Sequence, residues 1–193
     1  MTKIAVILGS TRTGRAGEHV ARWVVEQAQQ RGDAEYELID LAEVDLPQID
    51  QPSPPARGHY ADPDTQRWAR TVVAYDGYVI ITPEYNHSFP GVLKNALDRV
   101  YAEWNNKAAA LVSYGIDGGV RAVEALRPVL SALQLAHVAP QVSLNLRTDF
   151  SGFGAEFNPG EHQSTALTAT LDQLVSWSKA LARTRLSATS SAH

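Results

Sequence analysis

Between the apolar run KIAVIL (3–8) and the amphipathic stretch GEHVARWVVEQAQQR (17–31), the chain reads GSTRTGRAG over residues 9–17. Glycine, hydroxyl and guanidinium groups crowd into this single connection. A glycine-rich turn that opens a helix leaves unpaired amide N–H groups at the positive end of the helix dipole, and such an end attracts anions. Ser10, Thr11 and Thr13 can add hydroxyl donors, and Arg12 and Arg15 can add bidentate charge-assisted bonds. The natural guest is a phosphate group. Two nucleotide motifs fail here. The P-loop pattern GxxxxGK[ST] has its glycines at Gly9 and Gly14, but Arg15 and Ala16 follow. No lysine then reaches a terminal phosphate and no hydroxyl holds magnesium. The dinucleotide pattern GxGxxG fails at Thr11. A monophosphate fits better; the plain alternative is an ordinary strand-to-helix turn.

A second segment, TPEYNHSFPG (82–91), presents Glu84, Tyr85, Asn86 and His87 between two prolines. Pro83 stops a strand and Pro90 starts a helix. Such a loop offers backbone donors at fixed positions and an aromatic face, along which a planar heterocycle could lie. Its plain alternative is a helix-capping loop. A third segment, SYGIDGG (113–119), places Ser113, Tyr114 and Gly115 where a ring edge could be reached. Alone it is the weakest of the three signals. The six histidines are scattered without a HExxH pair, and there is no cysteine, so metal binding is not expected. No GxSxG elbow appears, which argues against a serine hydrolase. Asp98 and Glu103 read as solvated or interface charges, and helix arginines such as Arg99 and Arg121 as solvated. Leu93, Leu97, Val100 and Trp104 follow one helical face. Leu93 and Leu97 suit packing on a sheet, and the aromatic end at Tyr101 and Trp104 suits a subunit interface or a place under the site.

The elements that must position these loops alternate. Strands are expected at 3–8, 36–41, 77–82, 109–114 and 137–146, and helices at 17–31, 63–75, 90–104, 118–134 and 164–183. The 118–134 helix should bend near Pro128. The proline-rich stretch 47–63 reads as loop, and so does 148–161, as a flexible one. Five strands alternating with helices imply an α/β fold with a parallel sheet covered on both faces. In such sheets ligands sit beyond the C-terminal strand ends, where the strand order reverses, and the three loops leave those ends. The length of 193 residues suits one domain, taken as 1–185, with 186–193 expected to be a disordered tail. A net charge of −4 with scattered basic residues argues against a nucleic-acid partner. No apolar stretch approaches the ~20 residues a membrane span needs. The N-terminus lacks the length and cleavage site of a signal peptide, so a cytoplasmic location is expected.

These loops together resemble the NAD(P)H-dependent FMN reductase family, of flavodoxin-like fold. GSTRTGR is similar to its phosphate motif, PEYNHSFPGVLKNALD to its flavin-ring motif, and ALVSYG followed by GGVRA to its third loop. The resemblance covers about residues 3–183. It implies a five-stranded, doubly wound parallel sheet that binds FMN and takes electrons from NADPH or NADH. It implies small-molecule electron acceptors (quinones, azo compounds, flavins or metal oxyanions) served in ping-pong fashion, and a homodimer or tetramer. It implies that Ser10, Arg12 and the turn to Gly17 hold the phosphate, with Arg15 in the longer form of this loop. Pro83, Glu84, Tyr85 and Asn86 would line the ring, and Ser113, Tyr114 and Gly115 would approach its pyrimidine end. The flavin N5 would carry the hydride, so no protein nucleophile is expected. Two positions depart from the family: Gly17, where many members have serine, and Ile116, where many have glycine. The competing reading is a non-catalytic flavodoxin-like electron carrier or a flavin-binding regulatory module.

Overall fold

The computed structural model describes residues 1–152 and 156–190. Five parallel strands form one sheet: β1 (Lys3–Leu8), β2 (Glu35–Asp40), β3 (Gly77–Pro83), β4 (Lys107–Gly115) and β5 (Leu135–Asn145). Their order is β2-β1-β3-β4-β5, so the chain moves outward from β1 to β2 and then crosses to β3 on the other side. That reversal opens a crevice at the C-terminal ends of β1 and β3. The helices are α1 (Gly17–Gln29), the single turn α2 (Leu41–Val44), α3 (Pro63–Val73), α4 (Gly91–Asp98), α5 (Val120–Ala132) and α6 (Glu161–Ser190).

The strands read as unbroken apolar runs because both sheet faces are covered. Alternation along β1 assigns the faces. Ile4, Val6 and Leu8 pack with Val20 and Val24 of α1 and Leu171 and Leu174 of α6. Ala5 and Ile7 pack on the other side with Trp68 of α3, Leu93 and Leu97 of α4 and Leu126 of α5. β5 lies at the sheet edge, where Pro140 removes a ladder donor. Its pairing with β4 slips between Ala109 and Leu111, and Arg127 reaches in to the Val138 carbonyl at 3.1 Å and the Gln141 side chain at 2.9 Å.

Five expectations change. The helix expected over 90–104 ends at Asp98, and Ala102–Trp104 forms a separate 3-10 turn. That turn swings Trp104 inward: it is fully buried, edge-on to Tyr78 with centroids 4.8 Å apart, and its indole N–H donates to the Leu97 carbonyl at 3.1 Å. Trp104 is thus a core residue, not an interface one, because a buried indole needs an acceptor and finds one on α4. Arg99 is not solvated but 2% exposed, held by Asp62 at 3.0 Å and by the Pro47 carbonyl at 2.5 Å. The stretch read as a loop over 148–161 carries a short hairpin, β6 (Phe150–Ser151) with β7 (Glu156–Phe157); its residues 153–155 lie outside the described residues. α6 runs past position 183 to Ser190, through part of the expected tail, and 191–193 lie outside the described residues.

Candidate functional site

The three loops meet at the crevice. The Gly9 N–H donates to the Ile81 carbonyl at 2.8 Å, which joins the end of β1 to β3. The Glu84 N–H donates to the Tyr114 carbonyl at 3.0 Å, which joins the end of β3 to β4. Between them is a cleft of about 330 Å³. Its walls come from Arg12 to Ala16 on one side, from Pro83, Glu84 and Tyr85 on another, and from Tyr114, Gly115 and Ile116 on a third, with Leu146 at the rim. Of the residues expected from the sequence, Arg12, Arg15, Pro83, Glu84, Tyr85, Tyr114 and Gly115 are brought together in this lining. Ser10, Gly17, Asn86 and Ser113 stand beside it. Ser10 is fully buried with its hydroxyl 3.1 Å from that of Tyr114. The Ser113 hydroxyl donates to the Gly118 carbonyl at 2.7 Å. Asn86 is exposed at positive φ.

The first loop gathers groups that can hold an anion. Ala16, at the N-cap of α1, offers no side-chain acceptor to the first-turn amides. Arg15 is 7% exposed in its side chain, and its Nε is buried without a partner. Its two amino groups are engaged, one with the Ser10 carbonyl at 2.8 Å, the other with Asp40 and with Glu18 at 3.3 Å. Arg12 is exposed, with its guanidinium 5.7 Å above the Tyr85 ring. A helix start without a side-chain cap, an orphaned guanidinium N–H and a second arginine suit a phosphate dianion. Gly17 has a local reason to be glycine. A Cβ there would stand 2.5 Å from the Tyr114 hydroxyl and 2.8 Å from Leu8. The phenol lies beneath the cradle, against Ser10 and the Gly17 amide, and burial pushes its pKa up to about 12.

Dinucleotide sites use an acidic residue at the end of the second strand to bind a ribose. Asp40 ends β2, but its carboxylate accepts from the Ala42 N–H at 2.9 Å and from Arg15. That acceptor is already spent within the chain, which fits a mononucleotide better than a dinucleotide.

The second and third loops are locked to each other. Glu84 is 8% exposed in its side chain and accepts from Arg121 Nε at 2.6 Å and from the Arg121 backbone N–H at 3.2 Å. It therefore caps α5, whose own N-cap is Gly119. Arg121, expected to be solvated, bridges Glu84 and Asp117, the latter at 2.9 Å. Beyond Glu84 the chain makes a two-residue turn. Tyr85 and Ser88 exchange backbone bonds of 2.8 and 3.0 Å, and Asn86 and His87 take φ of 51° and 66°. The LKNALD part of the motif acts elsewhere: Asn95 accepts from the Ile49 N–H at 2.8 Å and donates to the Pro47 carbonyl at 2.9 Å, pinning the proline-rich loop. Sequence reasoning missed Asp40 and Arg121. The rule about the second strand's end could have singled out Asp40; the GGVRA stretch contains Arg121 but does not show that it reaches Glu84. Among the described residues no His, Asp and Glu cluster could hold a metal, and no helix is long and apolar enough to cross a membrane.

Fold and site together define a flavodoxin-like α/β protein with an arginine-bearing strand-to-helix turn at its switch point and a cleft beside it. The sequence profile of the NADPH-dependent FMN reductases matches residues 2–149, and the chain belongs to that family. It is accordingly an oxidoreductase, with FMN as its flavin and NAD(P)H as its electron donor. It is 37% identical over 149 residues to an NAD(P)H-dependent FMN reductase of Schizosaccharomyces pombe, covering 76% of this chain and 74% of that one. It is 30% identical over 184 residues to a 2-hydroxy-1,4-benzoquinone reductase of a Burkholderia species, covering 91% and 95%. Among solved structures, the flavoenzyme NAD(P)H:(acceptor) oxidoreductase FerB of Paracoccus denitrificans superposes with a TM-score of 0.73 at 24% identity, over 93% of this chain and 98% of that one.

Proposed function

We propose that residues 9–17 hold the FMN phosphate, that Pro83–Tyr85 and Tyr114–Gly115 flank the flavin ring, and that the chain reduces small-molecule acceptors, quinones foremost. The observation that carries this reading is the meeting of an uncapped helix N-terminus and two arginines with the aromatic cleft at one switch point. Bound FMN supplies a centre that takes hydride from NAD(P)H and gives it to an acceptor. The chain's part is to bind and orient. Arg12, Arg15 and the α1 amides take the phosphate; Tyr85 offers an aromatic face; the Glu84–Arg121 pair fixes the spacing of the two ring loops. The backbone N–H groups of those loops are the candidate donors for charge that develops on the ring. No protein nucleophile is required. Because one cleft serves both donor and acceptor, donor and acceptor use it in turn, in a ping-pong scheme. The near full-length Burkholderia relative supports quinones, with azo compounds, flavins and metal oxyanions as further acceptors to try. A single domain in the cytoplasm, assembled as a homodimer or tetramer, completes the reading. Trp104 is buried and takes no part in that assembly, whereas Ile116 and Val120 are exposed.

The purified protein should be yellow and release FMN, not FAD, on heating. It should oxidise NADPH or NADH with benzoquinone, giving parallel double-reciprocal lines. Release of FAD, or failure to take up any flavin on reconstitution, overturns the reading. Bound FMN with no NAD(P)H oxidation leaves the electron-carrier alternative in its place.

A further inference from the structure

Asp40 is oddly placed for a carboxylate. It closes β2 beside a loop shaped to hold an anion, and by charge alone it should repel a phosphate. Its side chain is 12% exposed and fully committed. One oxygen caps α2 through the Ala42 N–H at 2.9 Å. The other accepts from Arg15 Nη2. The second amino group of the same guanidinium, Nη1, donates to the Ser10 carbonyl at 2.8 Å. One planar fork therefore ties the start of the 10–16 turn to the end of a neighbouring strand. A lysine, as a point charge, could not span both partners.

We propose that Asp40 is a positioning residue for the phosphate loop: it holds Arg15 so that the guanidinium fixes the Ser10 carbonyl, and with it the turn, in the shape that receives the FMN phosphate. The inference rests on the reading of residues 9–17 as the phosphate cradle. The turn needs such a hold. Residues 11–14 are exposed, and Gly14 sits at φ +67°. A loop ordered before binding loses less conformational freedom when the ligand arrives. Ser10 is already fastened from below by the Tyr114 hydroxyl, and the Arg15 fork supplies the second fastening. The consequence opposes simple electrostatics. Neutralising Asp40 removes a negative charge from the neighbourhood of the phosphate, yet binding of the phosphate weakens.

Asp40→Asn is the direct test, because asparagine still accepts from the Ala42 N–H and keeps the α2 cap. Apoprotein is titrated with FMN and with riboflavin, which carries the ring without the phosphate. Asp40→Asn should lower FMN affinity about tenfold, the scale of one hydrogen bond to a charged group, and leave riboflavin affinity unchanged. Arg15→Met should lose at least as much, and Asp40→Asn added to it should cost nothing more, since the two residues act as one unit. Arg15→Lys keeps the positive charge but not the fork, so it should lose at least as much as Asp40→Asn; Asp40→Ser, which can still cap α2 but cannot hold Arg15 as a carboxylate does, decides the matter if Asp40→Asn does not fold. Arg12→Ala is the reference for the underlying reading. If it weakens FMN selectively while Asp40→Asn binds FMN as well as or better than wild type, Asp40 is only a repulsive neighbour and the inference fails. Equal losses for FMN and riboflavin in Asp40→Asn also overturn it, because they report general damage. If neither Arg12→Ala nor Asp40→Asn changes the FMN-to-riboflavin ratio, the cradle reading itself is wrong and the inference falls with it.

Discussion

Two arginines three residues apart do different work in the first loop. Arg12 is exposed over Tyr85, whereas Arg15 is buried against Asp40 and the Ser10 carbonyl. As a charged ligand of the phosphate, Arg12 should contribute about 1.5–3 kcal/mol. Arg12→Ala should therefore weaken FMN by roughly tenfold or more with the fold intact, read by fluorescence titration; unchanged affinity would refute the assignment. The sequence made both arginines visible but could not separate their roles. Spacing shows that a guanidinium is near a helix start. It does not show that Asp40, twenty-five positions later, ends the adjacent strand. Gly17 is a similar case: its need for a bare Cα comes from Tyr114, which the sheet register brings under the loop.

At the scale of elements, periodicity located every strand of the main sheet to within two residues, because runs such as GYVIITP are buried on both faces and carry no competing signal. It failed where a tertiary partner decides the backbone. Leu93, Leu97, Val100 and Trp104 keep a helical spacing, yet the helix stops at Asp98 so that the indole can reach Tyr78 and the Leu97 carbonyl. Trp104→Glu should consequently destabilise the fold by at least about 3 kcal/mol, the scale of losing a large buried aromatic, in denaturant melts of apoprotein. A stable variant with an altered oligomeric state would restore the interface role. The turn after Tyr85 carries its own prediction. Asn86 and His87 both have positive φ, the pattern of a type I′ turn, which favours glycine at the second position. His87→Gly should raise the stability of apoprotein by up to about 1 kcal/mol by removing left-handed strain; a lower melting temperature would show that the His87 side chain matters more than its backbone.

Across the whole molecule, the two ends of β4 are specialised oppositely. Its C-terminal end, Tyr114 and Gly115, enters the cleft; its N-terminal residue, Lys107, lies eight residues and about 26 Å away along the strand. There the amine is 3% exposed and donates to the Val72 carbonyl at 2.9 Å, the Val73 carbonyl at 3.3 Å and the Tyr78 hydroxyl at 3.0 Å. It thus caps the C-terminus of α3 from inside the core. Burial, aided by nearby Arg185, pulls its pKa from 10.5 down to about 7. The sign of the pH effect follows. Between pH 7 and 10.5 the unfolded chain holds a proton at this position that the folded chain has released, so this group makes stability rise with pH across that window. Its contribution is complete above 10.5 and is lost as pH falls through 7. The limiting slope for one proton is about 1.4 kcal/mol per pH unit. Lys107→Met removes the titration while filling similar space. Urea unfolding of both apoproteins between pH 6.5 and 9.5 should show wild type gaining on the variant as pH rises. A difference that stays flat across that range would mean that the three oxygens hold the ammonium charged, and that their bonds outweigh the burial cost. In either case the variant should keep its affinity for FMN, because the amine and the 9–17 turn sit at opposite strand ends of the same sheet.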